Sequence, residues 1–533
     1  MKLKFRLLIP LIIILNALLG VAFLVDERAE ILKEMSYSAK RELIDVWYPK
    51  ALDRVHGGYL STFDAQFNPV GTQEKMIVTQ ARHIWSNSKA AIFYSDPKYK
   101  AYAKHGFMFL KEKMWDKKFG GFHTLVSREG LVKNRSFSPK EAYGNSFAIY
   151  ALAGYYQASG DTSALNLAIA TFNWLEKHSH DPVHKGYYQH MEQDGTPIIR
   201  NLSTPSTAEL GYKDQNSSIH LLESFTELYT VWPDKLLKER LTEMFLLVRD
   251  KITTPKGSLT LFFTPEWKPV STLDSSYASI LKHRGLDHIS FGHDVETAYL
   301  LLEASHILGY KHDSVTLNIG KKMVDHALAN GWDKQLGGFY DEGYYFKDKS
   351  GMSIIKDSKN WWAQAEGLNT LLIMSNYFPN DDMQYFSKFQ QLWKYTKTYL
   401  IDHENGDWYQ GGLDKEPQQK QALKGQIWKG TYHNFRALMS CIQHLEHDKT
   451  APELPANVKL VSAKKQLKLS WQAAKDNRRM LGYNIYRGGI RIGFTPLTNF
   501  EIAKPASGKF IYSIKAIDFS GNESKAAIFK TII

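Results

Sequence analysis

Two histidines in helix-like settings are the residues of this sequence best suited to proton chemistry. His293 stands in residues 290–296 (SFGHDVE), at the start of an apolar run and three residues before Glu296. Residues three apart share a helix face, so His293 and Glu296 can point into one cavity. His433 follows in residues 428–434 (WKGTYHN). The ordinary pKa of imidazole, about 6.5, suits both proton uptake and proton release. The pair therefore favours proton transfer over metal or phosphate chemistry.

Two further motifs add polar side chains of the same kind. Arg82 lies in residues 80–85 (QARHIW), and residues 216–223 (NSSIHLLE) open a helical pattern. In the second motif Asn216 and His220 are four residues apart and share a helix face. A single helical histidine is more often a partly buried structural residue. Motifs at equivalent places in successive repeats are a stronger signal, because the repeats of a barrel converge on one axis.

The elements that position these residues repeat along the chain. Glycines beside an aromatic residue recur at 57–59, 120–122, 186–188, 337–339 and 406–408, with a weaker match at 256–257. Glycine followed by alternating aromatics suits a short β-excursion. Helical patterns lie between these marks, for example at residues 142–157, 217–231 and 361–377. Six pairs of helices close into an (α/α)6 barrel, which gathers its loops at one end around a central cavity.

The pattern changes near Pro452, where a second domain is predicted. We assign residues 26–448 to the barrel, 449–456 to a linker and 457–533 to a small all-β sandwich. Short alternating strands are predicted at 458–460, 467–471, 482–487 and 510–516, separated by turn residues. This segment resembles a fibronectin type III domain through residues 469–471 (LSW), 483–486 (YNIY) and 516–523 (AIDFSGNE).

The first 25 residues differ from the rest of the chain. Lys2, Lys4 and Arg6 precede an apolar run from Leu7 to Leu24. Such a segment is typical of a signal peptide or a short uncleaved anchor. We expect an exported protein, either periplasmic or held at the membrane facing the periplasm, with membrane association through this segment only.

Composition excludes several other classes of protein. Hydrophobic residues make up 43% of the 533 residues, which fits a globular chain with a large core. The net charge of +12 is spread along the chain without a basic run interleaved with aromatics, so no nucleic acid partner is expected. The one cysteine, Cys441, allows no intrachain disulfide and is expected to serve packing. No metal-binding spacing and no glycine-rich phosphate loop occur, so we expect neither a metal nor another cofactor.

Taken together, the motifs resemble those of the N-acylglucosamine 2-epimerase and cellobiose 2-epimerase family. The matching segments span about residues 80–440 of the larger domain: 80–82 (QAR), 140–143 (KEAY), 220–223 (HLLE), 290–296 (SFGHDVE), 359–366 (KNWWAQAE) and 428–434 (WKGTYHN). The resemblance implies an (α/α)6 barrel that interconverts sugars epimeric at C2 or isomerises mannose and fructose. The tryptophans at 361, 362 and 428 look most like those of cellobiose or mannobiose 2-epimerases.

The resemblance also implies roles for single residues. His293 and His433 would be the acid/base pair, and the sequence does not decide which of them serves which epimer. Arg82 would stabilise the developing oxyanion, and Glu296 would orient or activate a neighbouring histidine. His220 would assist ring opening or hold a sugar hydroxyl. The expected sugar-binding residues are Tyr143, Asn216, Trp361, Trp362, Glu366 and Trp428. Of the adjacent pair Trp361 and Trp362, one is expected to be a core residue, because neighbours on a helix point about 100° apart.

The sequence leaves three other functions open. An aldose–ketose isomerase acting on mannose would use the same barrel. An (α/α)6 glycoside hydrolase would need two carboxylates flanking the bond, for which Asp294, Glu296 and Glu366 are available. A carbohydrate-binding protein without catalysis would use only the aromatic cavity. The main hypothesis is cofactor-free C2 epimerisation at the reducing end of a β-1,4-linked disaccharide. The expected substrate is thus an oligosaccharide, or else a monosaccharide.

Overall fold

The larger part of the chain is a ring of paired helices in a computed structural model, which describes residues 27–132, 139–201, 209–462 and 466–532. The inner helices are α2 (Ile77–Phe93), α4 (Ala142–Ser159), α6 (Gln215–Val231), α8 (Phe291–Leu308), α10 (Trp361–Tyr377) and α12 (Tyr432–Glu446). The outer helices are α1 (residues 27–47), α3 (Pro97–Phe109), α5 (Thr162–His178), α7 (Lys235–Leu247), α9 (Ser314–Gly331) and α11 (Tyr385–Tyr395). The part of α1 at Ser38–Ile44 is π-helical, and further π-helical turns lie at Leu110–Met114, Val248–Ile252 and Thr396–Leu400. A short α-helix lies at Tyr277–His283, and 3₁₀ turns lie at Arg284–Leu286 and Pro417–Gln421.

The inner helices form a closed ring. Each packs against the next in chain order, and α12 returns to pack against α2. Helices α4 and α10 are buried along nearly their whole length, on every face. A helix that is apolar all round belongs in a protein core. The predicted (α/α)6 barrel is therefore confirmed, and two of the predicted inner helices start within two residues of the expected position.

Short antiparallel strands join the helices at one end of the barrel. They are β1 (Lys75–Met76), β2 (Leu125–Val126), β3 (Lys140–Glu141), β4 (His190–Met191), β5 (Lys213–Asp214), β6 (Phe262–Phe263), β7 (Ile289–Ser290), β8 (Glu342–Tyr344) and β9 (Ser353–Lys356). Strands β1, β3, β5 and β7 each lead directly into an inner helix. This pairing fixes where those helices begin, and it agrees with the β-excursions predicted from the glycine–aromatic repeats.

A buried lysine and a buried aspartate anchor five of the six repeats. The lysine precedes the inner helix, and its ammonium group also donates to a carbonyl of the turn that holds the aspartate. The pairs, with their Nζ–Oδ2 distances, are Lys75–Asp53 (3.0 Å), Lys140–Asp116 (2.7 Å), Lys213–Asp181 (2.8 Å), Lys359–Asp333 (2.7 Å) and Lys424–Asp402 (2.6 Å). The remaining repeat has Ile289 and Thr254 at these two places. Both charges are replaced together there, because a single buried charge without its partner is strongly destabilising.

The C-terminal part is a sandwich of two antiparallel sheets. Its strands are β10 (Ala456–Ser462), β11 (Gln466–Gln472), β12 (Met480–Arg487), β13 (Ile490–Thr495), β14 (Asn499–Ala503), β15 (Lys509–Asp518) and β16 (Ala527–Ile532). The sheets have the orders β10-β11-β14 and β13-β12-β15-β16, and Trp471 of one packs with Tyr483 and Tyr512 of the other. This is consistent with the predicted fibronectin type III-like sandwich. The sequence analysis did not predict β13, β14 or β16, although β13 (IRIGFT) and β14 (NFEIA) alternate between apolar and polar residues.

Two other expectations concern single segments. The predicted signal or anchor segment, residues 1–25, lies outside the described residues. Within the described ranges, no helix combines the length and the apolar character that a membrane span needs. Cys441 is buried in α12, as expected for a packing residue.

Candidate active site

The polar residues of the barrel lumen form two tiers at the N-terminal ends of the inner helices. The upper tier holds the second or third residue of five inner helices: Tyr143, Asn216, His293, Trp362 and His433. The lower tier holds the fifth or sixth residue: Arg82, His220, Glu296, Glu366 and Arg436. Since all six inner helices begin at this end, their positive dipole ends point at the same space and favour an anion there.

His293 lies in the upper tier without a carboxylate partner among the described residues. Its Nδ1 atom is 2.8 Å from the Ser290 hydroxyl, and its ring centroid is 4.7 Å from that of Trp362. Burial, with smaller contributions from His220, His288 and His433, lowers the pKa of His293 to about 3. The imidazole is therefore neutral at neutral pH and has a lone pair free to accept a proton.

His433 contacts the same tryptophan and has a different partner. Its Nδ1 atom is 2.6 Å from Oε1 of Glu366, and its ring centroid is 5.8 Å from that of Trp362. Burial, and then the cations Arg82 and Arg436, lower the pKa of His433. The two histidines thus contact one indole ring, one beside a hydroxyl and the other beside a carboxyl group.

A third histidine pairs with its own glutamate one tier lower. His220 Nδ1 is 2.8 Å from Oε2 of Glu223, and the imidazole packs 5.3 Å from the ring of Tyr143 and 4.6 Å from the ring of Phe147. Glu223 also accepts a hydrogen bond from the Tyr432 hydroxyl. These contacts hold the His220 ring in one orientation below the upper tier.

Arg436 links the glutamates of the site, and the sequence analysis did not identify it. Its guanidinium donates to Glu223, Glu296 and Glu366. Burial alone would raise the pKa of Glu223, but Arg436 and the hydrogen bonds from His220 and Tyr432 lower it to about 2. The sequence spacing could have identified Arg436, because it follows His433 by three residues and so shares its helix face.

Two of the three carboxyl groups are held toward their neutral form. Burial and the nearby Glu366 raise the pKa of Glu296 to about 7, although Arg436 opposes this shift. Burial also raises the pKa of Glu366. Like-charged carboxylates in a buried site cannot all ionise. The cluster of Glu296, Glu366 and His433 therefore keeps a proton near neutral pH.

The expected support from Glu296 to a neighbouring histidine is wrong. Among the described residues Glu296 bonds to Arg436, while Glu366 supports His433 and Glu223 supports His220. Glu366 was expected to contact the sugar, but it is fully buried behind His433 and acts through that histidine. The i,i+3 spacing places Glu296 on the helix face that carries His293. Glu296 lies one turn deeper in the lumen, where it contacts Arg436 instead of a histidine.

Arg82 is a buried cation at the side of the site. Its guanidinium donates to the Trp428 carbonyl at 2.9 Å and to the Tyr143 hydroxyl at 3.2 Å. It also lies over the rings of Phe147 and Tyr432, at 4.5 and 5.0 Å from their centroids. These contacts fix the charge in place, so it can stabilise an anion without reorganising.

The aromatic residues expected to bind the substrate separate into three settings. Trp362 contacts both His293 and His433, as described above. Trp361 is only 8% exposed and packs in the hydrophobic core, which fits the expectation that one of the pair is a core residue, while its role in binding stays a prediction. Trp428 is 43% exposed at the mouth of the lumen, where its ring can cover a ligand. Asn216 lies beside Tyr143 and keeps a buried carbonyl oxygen without a partner among the described residues.

One group of side chains in the site has the spacing of metal ligands. Ligand atoms of Glu296, Glu366 and His433 all lie within 4.8 Å of one another. Arg436 donates to both of these carboxylates, so a positive charge already occupies the position that a metal ion would take. The arrangement suits proton transfer next to a stabilised oxyanion better than it suits metal ligation.

Comparisons with known proteins find relatives of the barrel domain. Residues 58–437 match the family model for N-acylglucosamine 2-epimerase. A cellobiose 2-epimerase of Bacteroides fragilis is 28% identical over 424 residues, which are 78% of this chain and 99% of that protein. A D-mannose isomerase of Marinomonas mediterranea is 22% identical over 406 residues, which are 75% of this chain and 94% of that protein.

A solved structure extends the likeness to three dimensions. The cellobiose 2-epimerase of Spirochaeta thermophila superposes with a TM-score of 0.67 at 27% identity, covering 79% of this chain and 98% of that chain. The part of this chain that such relatives leave uncovered is large enough to hold the sandwich and the N-terminal segment. The barrel is thus the shared part.

Proposed function

The chain belongs to the N-acylglucosamine 2-epimerase family and is a carbohydrate epimerase or isomerase, and from that premise we propose that it epimerises C2 of the reducing-end sugar of a disaccharide. The observation that carries the proposal is the pair of histidines, the half-buried His293 and the buried His433, which both contact Trp362. Inversion at carbon needs one group to remove a proton and a second group to return one from the opposite face.

The proposed reaction begins with the open-chain sugar, in which the C1 carbonyl acidifies the proton at C2. A neutral imidazole takes that proton, and the electron pair moves through the C1–C2 bond to the carbonyl oxygen to give an enediolate. Arg82 and the helix N-termini stabilise this negative charge. A second imidazole, now as acid, gives a proton to C2 from the other face, and the carbonyl reforms.

The two histidines suit different halves of this reaction. His293 sits beside the Ser290 hydroxyl with a pKa lowered to about 3, so it starts as the neutral base. His433 starts neutral because its pKa is lowered, and its Nδ1 atom can accept the proton that Glu366 keeps while its other ring nitrogen gives a proton to C2. After one turnover the proton lies on His293, and the reverse reaction starts from that state.

A disaccharide of the cellobiose or mannobiose type is the proposed substrate. The relatives named as cellobiose 2-epimerases match the barrel over almost their whole length. Trp428 is largely exposed at the mouth of the lumen, above the histidines, where it can cover a second sugar ring. The non-reducing sugar would then remain at the mouth while the reducing end opens in the lumen.

The nearest alternative is isomerisation of mannose to fructose, which the likeness to D-mannose isomerases supports. It differs in returning the proton to C1 instead of C2, and the proton of the C2 hydroxyl then moves to the C1 oxygen so that the carbonyl forms at C2. Hydrolysis is disfavoured, because Glu296 and Glu366 are buried and share the single guanidinium of Arg436. Such carboxylates cannot flank a glycosidic bond with one acid and one nucleophile.

The test is incubation with cellobiose, mannobiose, mannose and N-acetylglucosamine in D2O, followed by NMR at C2. We expect deuterium at C2 together with formation of the C2 epimer of a disaccharide. His293→Asn and His433→Asn should each abolish the exchange, with folding checked by circular dichroism. Retained exchange in both variants would contradict the mechanism, and fructose as the main product from mannose would favour the isomerase.

We also propose that the enzyme acts outside the cytoplasm. The support is the basic start of the chain and the apolar run from Leu7 to Leu24, which are typical of export signals. Cell fractionation of the producing bacterium tests this, with a variant lacking residues 2–25 as control. Recovery of the full chain in the cytosol at the level of that control would refute it.

A further inference from the structure

The sandwich is fixed to the barrel end opposite the active site. Arg479 donates to the Phe93 carbonyl at the end of α2 and binds Glu446 at the end of α12 with both terminal nitrogens. Arg491 donates to the Tyr229 and Thr230 carbonyls near the end of α6. Cations at helix C-termini are stabilising, because they meet unpaired carbonyl groups.

Further contacts continue this attachment. The Tyr156 hydroxyl of α4 donates to the Phe494 carbonyl at 3.0 Å, and the Gln443 amide of α12 donates to the Phe519 carbonyl at 2.9 Å. The sandwich therefore bonds to the ends of α2, α4, α6 and α12. No bond of this kind reaches α8 or α10 among the described residues.

A chamber of about 350 Å³ lies between the barrel floor and the sandwich. Its walls come from both domains, with Trp85, Tyr150 and Tyr299 on the barrel side and Asn484 and Phe494 on the sandwich side. Small-molecule sites span about 300–1,000 Å³, so the chamber suits one small ring. Exposed residues at Glu303, His306, Ser520 and Gly521 mark its open side, next to the uncovered end of α8.

Several lining groups keep unused hydrogen-bonding capacity. Within the part of the chain that the structure describes, Trp85 Nε1 and Arg436 Nε are buried donors without a partner, and Asn484 Oδ1 is a buried acceptor without one. Each of these three residues is at most 5% exposed. Glu303 faces the chamber with no hydrogen bond or ion pair among the described residues. Buried polar groups without partners are rare, and each calls for a ligand or ordered water.

The mixture of groups restricts the ligand. A cation would pair with Glu303 and Asn484, but it would be repelled by Lys89 and Arg491 and would leave the unpaired donors without an acceptor. An anion would be repelled by Glu303. It would also find no free charge on Lys89, because the Glu227 carboxylate already binds that ammonium group at 2.6 Å. A neutral molecule rich in hydroxyl groups satisfies donors and acceptors together, because each hydroxyl can both donate and accept.

We propose that this chamber is a second saccharide site, which takes one neutral monosaccharide ring between the barrel floor and the sandwich. The ring hydroxyls bond to Trp85, Asn484 and Glu303, and entry is past Ser520. The site is separate from the lumen above it, although Arg436 contributes to the walls of both. A sugar bound here stabilises the contact between the two domains by mass action.

The test is isothermal titration of the full-length protein with the methyl glycosides of glucose, mannose and galactose. Their locked rings cannot open, so binding is measured independently of any epimerisation. Ser520→Trp places an indole at the entrance, and Ser507→Trp is the matched control at another exposed bend of the sandwich. For at least one of the three glycosides, we expect Ser520→Trp to bind one equivalent fewer than the wild-type protein. Ser507→Trp should bind as many equivalents as the wild type.

A second variant tests the chamber from inside. Glu303→Leu removes an unpartnered acceptor that faces the space, and the affinity of the same glycoside should fall by about tenfold, the effect of one lost hydrogen bond. Turnover of cellobiose should be unchanged in both chamber variants. The proposal is overturned if all three glycosides give the same stoichiometry in wild type and Ser520→Trp, or if a crystal soaked with the binding glycoside shows only water in the chamber.

Discussion

Replacing Arg436 with methionine is the sharpest test of how the site is built. The guanidinium is buried and donates to Glu223, Glu296 and Glu366, so Arg436→Met leaves three buried carboxyl groups without their cation. Removing one partner of a buried ion pair costs about 3–5 kcal/mol. The pKa of Glu223 gives an independent magnitude, because it rests near 2 instead of its ordinary 4.5.

That difference of about two and a half pKa units corresponds to roughly 3 kcal/mol at about 1.36 kcal/mol per unit. A carboxyl group with a lowered pKa in the folded state contributes stability above its unfolded pKa and loses it as the pH falls toward the folded value. We therefore expect Arg436→Met to lower the free energy of unfolding by about 3 kcal/mol or more at pH 8. At pH 3 the loss from Glu223 should shrink to about 1.4 kcal/mol, since the unfolded chain then holds nearly all of that proton while the folded carboxyl, with its pKa near 2, is still mostly ionised.

The assay is urea denaturation followed by tryptophan fluorescence at both pH values. Arg249→Met is the matched control, because Arg249 pairs with the half-exposed Asp250 at the surface and should change stability by less than about 1 kcal/mol. A loss below about 1 kcal/mol at pH 8, or an equal loss at pH 8 and pH 3, would refute the assignment of Arg436 as the charge that holds the three carboxylates.

Three further predictions concern turnover. Glu366→Gln should lower kcat by about 10²-fold or more with little change in KM, because the acid behind His433 is lost; an unchanged kcat in initial-rate assays would contradict this. Trp428→Ala should raise KM for the disaccharide by about tenfold, equivalent to about 1.4 kcal/mol of contact, and a larger effect on mannose than on cellobiose would argue against a role at the mouth. The pH profile of kcat/KM should keep its acid limb well below 6.5, because the pKa of His293 is lowered to about 3. Its alkaline limb should lie near 7, where Glu296 loses its proton, and an acid limb at 6.5 would show an unperturbed base.

Much of the barrel could be predicted from local pattern. The glycine–aromatic repeats and the apolar segments between them indicate paired helices, because a helix that is buried on all sides must be apolar on all sides. Helix α10 begins and ends at the predicted residues, and α4 begins at the predicted residue. The sandwich was predicted less completely, since β13, β14 and β16 were missed, although β13 (IRIGFT) and β14 (NFEIA) carry the alternation that reveals a half-buried strand.

Residue spacing also determined which side chains enter the lumen. His220, His293, His433 and Arg82 all lie in the first two turns of inner helices, as the repeat argument required. Local periodicity fixes which face of its own helix a residue occupies. It carries no information about which residue of another helix lies opposite, because that depends on how the helices pack.

The partners of those side chains were decided only by the tertiary structure. Glu366 meets His433 from 67 residues away, and Arg436 joins Glu296 from 140 residues away. Trp361 and Trp362 are neighbours in sequence, yet ring closure puts one in the core and the other in contact with two histidines. The sequence by itself determined the chemical groups and their helix faces, since these follow from residue type and local period. Which groups share a proton, and whether each carboxyl is neutral or charged, follows from burial and from contacts between distant segments, and these exist only once the ring of helices has closed.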